Sequence, residues 1–280
     1  MRVVRFLFPV FAASAAVFGS SLALAEGLAS DWVEGFNNKA RLHAGRAGQP
    51  GKDGLFAGIE IEMPAGWKTY WRAPGEAGGI PPEFDFAASE NLSQARVLYP
   101  APHLLTDKAG TTAGYKEHVL FPVAITAKDV AKPVILKLKA AYGVCKELCV
   151  PAEAGIELTV PPDALVSGEI AQALTLVPRA TPIQATDPVV SKWRVDQRGS
   201  KPVLVIDVTD PGGSGTEAFA DTIDGTYLPL PKKKSEANGF AVFEIDLTDG
   251  VALKDLKGKP ITLTLAGKKG QSETSITLRE

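Results

Sequence analysis

Cys145 and Cys149 are the only cysteines among the 280 residues, and Lys146, Glu147 and Leu148 separate them. Thiols at that spacing suit three chemistries: thiol–disulfide exchange, a passive local disulfide, or ligation of a soft metal ion. In an extended strand, residues four apart lie about 13 Å from each other, whereas disulfide-bonded Cα atoms come within about 7 Å. Bonding therefore needs the chain to turn back across residues 146–148. Closing so small a ring contributes about 2 kcal/mol, against about 3 for a fifteen-residue loop, and strain subtracts from that. A strained, exposed disulfide is a poor staple but exchanges readily, so redox exchange is the leading reading of the pair. Lys146 would favour a thiolate there and Glu147 would oppose it.

Other chemistry is sparse. His43, His103 and His118 stand apart along the chain, and each reads as an ordinary surface or core residue. His103 and His118 flank the segment around Tyr115. Residues 66–85 concentrate Trp67, Tyr70 and Trp71 among glycines and prolines, those at 74, 75, 78, 79, 81 and 82 following the aromatics. That composition predicts a long irregular loop pinned by aromatics, able to shield a site or to present a partner-binding surface. The basic run Lys232-Lys233-Lys234 reads as a solvated turn. The sequence offers no Ser/His/Asp arrangement, no glycine-rich phosphate loop and no carboxylate pair.

The elements that must position these residues are mostly strands. Leu55, Ala57, Ile59, Ile61 and Met63 alternate with Phe56, Gly58, Glu60 and Glu62, the period of a half-buried strand. Further strands are expected at 119–126, 134–140, 155–160, 203–209, 240–247, 261–266 and 273–278. Glycine and proline clusters punctuate them, with turns at 210–215 and 237–239. The one helix candidate covers 164–176, with Leu165, Ile170, Leu174 and Val177 roughly on one side. The expected class is all-β, two immunoglobulin-like sandwiches joined by a short helix and a proline-rich linker. The boundaries read 30–165 for the cysteine-bearing sandwich, 166–188 for helix and linker, and 189–280 for the second sandwich.

Residues 1–25 read as an export signal: Arg2 and Arg5, an apolar run, then Ala23-Leu24-Ala25 as a small-x-small cleavage site. Cleavage takes two of the 30 Lys and Arg, so 28 face 32 Asp and Glu, a net charge of −4. A charge that small argues against nucleic acid or an anionic membrane as partner. Export also places the thiols in an oxidising compartment.

Trp67-x-x-Tyr70-Trp71-x-x-Pro74-Gly75-x-x-Gly78, Pro81-Pro82, residues 99–102 (Tyr-Pro-Ala-Pro), Gly114-Tyr115, residues 119–122 (Val-Leu-Phe-Pro) and Cys145-x-x-x-Cys149-Val150-Pro151 together resemble the amino-terminal periplasmic domain of DsbD-type thiol:disulfide interchange proteins. The resemblance spans residues 38–160 and is nearest the suppressor-of-copper-sensitivity branch. It implies an immunoglobulin-like sandwich in which Cys145 and Cys149 carry electrons, with no cofactor. A membrane electron carrier would reduce the pair, which would then reduce periplasmic disulfide isomerases or the thioredoxin-like proteins of cytochrome c maturation. The usual order puts the mixed disulfide on the first cysteine, Cys145. Glu153 falls on a motif position after Pro151. The membrane carrier and terminal thioredoxin domain of that family are expected on other chains, and the cysteine spacing is shorter than in its best-known members. Cys-x-x-x-Cys-x-Pro also resembles the copper loop of Sco-type proteins, though all three histidines lie upstream of it. Cu(I) handling by the two thiolates, and a scaffold whose pair pins a loop, are the alternatives to exchange.

Overall fold

Period-two alternation produces strands wherever one face can be covered. The computed structural model describes residues 28–48, 54–180, 183–198, 201–248 and 250–278; the expected export signal, residues 1–25, lies outside them. Twelve strands run from β1 to β12 in the first part of the chain. They are β1 (Leu28–Ala29), β2 (Val33–Gly35), β3 (Asn38–Arg46), β4 (Leu55–Glu62), β5 (Lys68–Tyr70), β6 (Glu83–Asp85), β7 (Leu92–Val97), β8 (His103–Asp107), β9 (Gly110–Lys116), β10 (His118–Ala127), β11 (Val134–Cys145) and β12 (Cys149–Val160). One sheet has the order β1-β3-β4-β10-β7 with β2 beside β3, and the other β12-β11-β5-β9-β8 with β6 beside β11. The strand pairs within them are antiparallel.

The core between these sheets joins Leu42, Ile59, Ile61 and Val123 of one to Leu136, Leu138, Tyr142 and Ile156 of the other. Phe121 is its aromatic centre, with the rings of Phe84, Tyr99 and Tyr115 at 5.4, 5.3 and 5.3 Å. Strand β4 is buried on both faces, because Phe56 on its outer side packs under Ile170 and Leu174 of the helix α1 (Gly168–Thr175). The helix starts later than the expected residue 164. Leu165 O accepts from Arg46 N and Arg46 O accepts from Ser167 N, so this backbone is engaged beside β3, and Ser167 then caps the helix at Ile170 N.

The second part holds β13 (Val189–Arg198), β14 (Lys201–Thr209), β15 (Glu217–Thr222), β16 (Lys232–Ala237), β17 (Phe240–Asp246), a single helical turn α2 (Leu253–Leu256), β18 (Pro260–Ala266) and β19 (Gln271–Thr277). A four-stranded sheet, β13-β14-β17-β16, faces a three-stranded one, β15-β18-β19, across a core that includes Ile206, Phe243, Ile245 and Leu263. The fold is all-β, in two immunoglobulin-like sandwiches. Asn238 and Gly239, at φ of 51° and 77°, supply the two left-handed residues of the tight β16–β17 turn.

Three expectations change. Residues 232–234 are strand β16 and not a turn; the lysines reach Glu76, Glu236 and Glu244, which makes a charged edge strand possible. The proline-rich stretch 178–188 has more to pack against than its composition suggests. Arg179 N and O bond to Gln271 O and Glu273 N of β19, and the Arg179 guanidinium holds the buried Asp187 carboxylate. The segment 66–85 is only partly irregular, since it contributes β5 and β6 to the cysteine-bearing sheet. Because Phe121 is wholly buried among three rings, Phe121→Ala is expected to cost about 3–5 kcal/mol, read as a lower urea midpoint at unchanged m-value.

Candidate functional site

Twelve consecutive residue pairs, from Val134↔Val160 to Cys145↔Cys149, make β11 and β12 one hairpin closed by Lys146, Glu147 and Leu148. Lys146 N donates to Leu148 O across the turn at 3.2 Å, and the two cysteine Cα atoms lie 4.1 Å apart with their sulfurs bonded. Turning the chain back is thus accomplished by strand pairing, and the disulfide sits at the tip. The two cysteines differ in exposure: Cys145 is 1% exposed, whereas Cys149 is exposed at the start of the edge strand β12.

Strand β5 pairs with β11 at Lys68↔Cys145, which brings Tyr70 over the disulfide. Its hydroxyl is 2.9 Å from Cys145 Sγ and 2.8 Å from Cys149 Sγ. Disulfide sulfur carries no hydrogen, so the tyrosine O–H is the donor. Burial, and then the Asp107 carboxylate, push the Tyr70 phenol above its ordinary pKa, which keeps that proton on the oxygen at neutral pH. Two glycines make room for the ring. A Cβ on Gly79 would fall 2.5 Å from it, and one on Gly143 would meet Ile80 at 2.9 Å and the ring at 3.2 Å. The Lys68 ammonium donates to Asp107 Oδ2 at 2.7 Å and Thr112 Oγ1 at 3.2 Å. Around the tip, Leu148 is 80% and Phe36 66% exposed, and Phe36 sits edge-on to Trp67 at 6.0 Å.

The remaining sequence candidates distribute differently. Trp71 is 1% exposed and packs on Phe219 of β15, so it is an internal contact and not a surface for partners. Tyr115 is a core residue whose hydroxyl donates to Pro100 O at 2.8 Å. Glu153 is exposed on β12 beside Glu83 and Asp85, four residues and roughly 13 Å of strand from Cys149. The expectation that Cys145 carries the mixed disulfide is opposed by its burial.

The histidines, isolated in sequence, are not isolated in space. Neighbouring strands bring His43 Nε2 to 2.6 Å from Glu60 Oε2 and His118 Nε2 to 2.8 Å from Glu60 Oε1, while Arg41 Nε donates to Glu60 Oε2 at 2.6 Å. Donor atoms of Glu60, Glu62 and His118 lie within 4.8 Å of one another, the spacing of a metal-binding group, and cations engage both carboxylates: Arg41 on Glu60 and Lys39 on Glu62. His103 lies elsewhere, 3.9 Å from Glu217.

Residues 42–161 match the family model described as thiol:disulfide interchange protein DsbD, N-terminal. Those residues are a DsbD-type amino-terminal domain. Among solved structures, the N-terminal periplasmic domain of ScsB from Proteus mirabilis is similar, with a TM-score of 0.67 at 18% identity over 91% of this chain and 100% of that one. At that identity the likeness establishes fold, and it extends past the DsbD-type domain into the second sandwich. No curated protein sequence matches the chain. Within the DsbD-type domain, the Cys145–Cys149 pair is present and oxidised. The tyrosine contact was signalled in sequence only by the aromatic cluster; the Glu60 cluster carried no sequence signal, because its members sit on three strands.

Burial raises the Glu60 carboxyl, but hydrogen bonds from His118, His43 and Arg41 outweigh it and hold the group well below the usual carboxylate range. The Glu60 hydrogen bond raises His118, against burial. Glu60 therefore contributes stability above its ordinary 4.5 that is lost as pH falls, and His118 contributes stability below its ordinary 6.5 that is lost as pH rises past its raised value. Melting temperature should peak between those limits, and Glu60→Gln should flatten the profile.

Proposed function

We propose that the Cys145–Cys149 pair passes two electrons between a dithiol electron donor and thioredoxin-like or disulfide-isomerase partners in the periplasm, with Cys149 as the entry sulfur. The observation that carries this reading is an exposed cysteine, Cys149, in a disulfide that its hairpin does not need. Twelve paired rungs already hold β11 to β12, so a ring worth about 2 kcal/mol adds little as a staple. Family membership of residues 42–161 supports the same chemistry.

The exchange is symmetrical. A thiolate of the donor attacks Cys149 Sγ; the donor–Cys149 bond forms, the Cys149–Cys145 bond breaks, and Cys145 leaves as the thiolate. A second thiolate of the donor then attacks its own sulfur in the mixed disulfide and releases Cys149, so the donor is oxidised and the pair reduced. In the forward step the Cys149 thiolate attacks an oxidised partner, and Cys145 resolves the mixed disulfide, regenerating the Cys145–Cys149 bond. The donor would be a membrane-embedded carrier.

Tyr70 supplies two effects. Its ring excludes solvent and small oxidants from Cys145, and its O–H is placed to hydrogen-bond the Cys145 thiolate, which lowers the thiol pKa and improves Cys145 as a leaving group. Exposed Leu148 and Phe36 beside the tip supply apolar area for a transient protein contact.

In Cys145→Ser protein, Cys149 should accumulate a mixed disulfide with an oxidised thioredoxin-like partner, and Cys149→Ser should capture far less. Non-reducing electrophoresis reads both, and capture by neither variant sinks the proposal. The pair's reduction potential should lie above about −300 mV, the region of exchanging rather than inert disulfides. Tyr70→Phe should raise the thiol pKa of the reduced pair, followed by the pH dependence of alkylation.

A further inference from the structure

One arginine joins the segment that covers the disulfide to every strand of the facing sheet. Arg72, two residues after Tyr70, donates from Nε and Nη2 to Asp221 of β15 at 3.1 and 2.9 Å and from Nη2 to Glu273 of β19 at 2.7 Å. Thr264 of β18 lies between them, its Oγ1 donating to Glu273 Oε2 at 3.1 Å. The guanidinium also stacks 4.3 Å from the Trp71 ring, which itself packs on Phe219. Further along, Leu230 fills the space beside Gly75, where a Cβ would fall 2.5 Å from its Cγ, and Leu230 N donates to Glu76 Oε2 at 3.0 Å.

These contacts use the outer face of the β15-β18-β19 sheet. Ala218, Ala220, Leu263 and Leu265 point into the second core, so Phe219, Asp221, Thr264 and Glu273 point the other way, against residues 71–76. Phe219 and Leu230 consequently belong to the first sandwich's core cluster. A bidentate, partly buried guanidinium–carboxylate pair is a directional tether, and its fork geometry fixes orientation as well as distance.

We infer that the second sandwich serves as the anchor of the Tyr70 lid: by gripping Arg72 and the segment after it, it holds the Tyr70 hydroxyl against both sulfurs and so sets how readily the disulfide is reached. Arg72 is then a positioning residue, acting on the sulfurs only through Tyr70. The inference deepens the exchange reading above, since a lid matters to the cell only if the disulfide reacts, and it assigns a role to residues 189–280. A partner that pries the sandwiches apart, or binds the second one, would open the disulfide without touching it.

The experiment is the rate of reduction of Cys145–Cys149 by excess dithiothreitol in the full chain, quenched by alkylation and read by mass. Arg72→Ala should accelerate reduction about tenfold, a change in barrier of about 1.4 kcal/mol. Arg72→Lys, which keeps the charge but loses the fork, should fall between. Arg194→Ala removes an ion pair to Asp207 within the second sandwich, away from the lid, and should leave the rate unchanged. If Arg72→Ala fails to fold, Asp221→Asn with Glu273→Gln carries the same expectation. A wild-type rate in a folded Arg72 or Asp221/Glu273 variant overturns the anchor, as does equal acceleration by Arg194→Ala, which would mean general loosening. Because dithiothreitol needs no partner, acceleration without any trapped partner leaves the anchor standing and removes the exchange reading, while trapped partner with unchanged rates does the reverse.

Discussion

Everything about the site depends on the pairing of β11 with β12, which turns the chain back within three residues and places two sulfurs at the tip of a twelve-rung hairpin. That pairing also sets the face of each residue. On β11, Gly143 N donates to Ile80 O and Ile135 exchanges backbone bonds with Glu90, so the odd-numbered residues direct their backbone away from β12. Their partners on β12, including Cys149, Pro151 and Glu153, direct theirs to the free edge; because the even-numbered residues of both strands face the core, these three lie on the outer face and are exposed. Burial of Cys145 and exposure of Cys149 are two sides of one register: the inner strand is covered by β5, and the outer, edge strand has only the Tyr70 hydroxyl against its sulfur. The disulfide is therefore asymmetric, joining one buried and one exposed cysteine.

The second consequence is cost. Covering the disulfide with Tyr70 requires a ring to lie in a slot between Gly79 and Gly143, with Gly79 at a φ of 149° that side chains rarely adopt. The adjoining segment has few regular bonds of its own, among them Trp71 N to Ala113 O and Ala113 N to Pro74 O. Further restraint comes from the other sandwich, through two carboxylates, Asp221 and Glu273, and two apolar side chains, Phe219 and Leu230. Burying a guanidinium is unfavourable unless its donors are met, and Asp221 and Glu273 meet them. The β15-β18-β19 sheet is consequently covered on both faces, by its own core and by residues 71–76, which explains why Thr264 and Phe219 have no solvent exposure.

Alternation made the long strands legible: β4, β10, β14, β17 and β18 fall within two residues of their expected bounds, since burying one face of a sheet imposes a period of two, whereas β11, expected to end at 140, runs on to Cys145. The helix was legible but its start was not, because Leu165 and Ser167 bond to Arg46, a residue more than a hundred positions earlier. Lys232-Lys233-Lys234 read as a turn because charge usually marks solvent; an edge strand paired to acidic neighbours satisfies the same composition. Trp67, Tyr70 and Trp71 were visible as aromatics, yet their three fates, half-buried at the rim, over the sulfurs and between the sandwiches, follow from which way each faces from β5 and the residues after it.

The sequence by itself determined the all-β class, the sandwich division and the pair of thiols with its need for a chain reversal, because strand period, turn composition and loop closure are local properties. It also carried enough of the DsbD-type pattern to point to the family whose model matches residues 42–161. Tertiary structure alone decided which sulfur is reachable, that a tyrosine hydroxyl touches both, that His43 and His118 share Glu60, and that Arg72 reaches across to the second sandwich. Each of these joins residues on strands far apart along the chain, and which strands become neighbours is set by how whole sheets bury their faces together, a quantity no short window of residues contains.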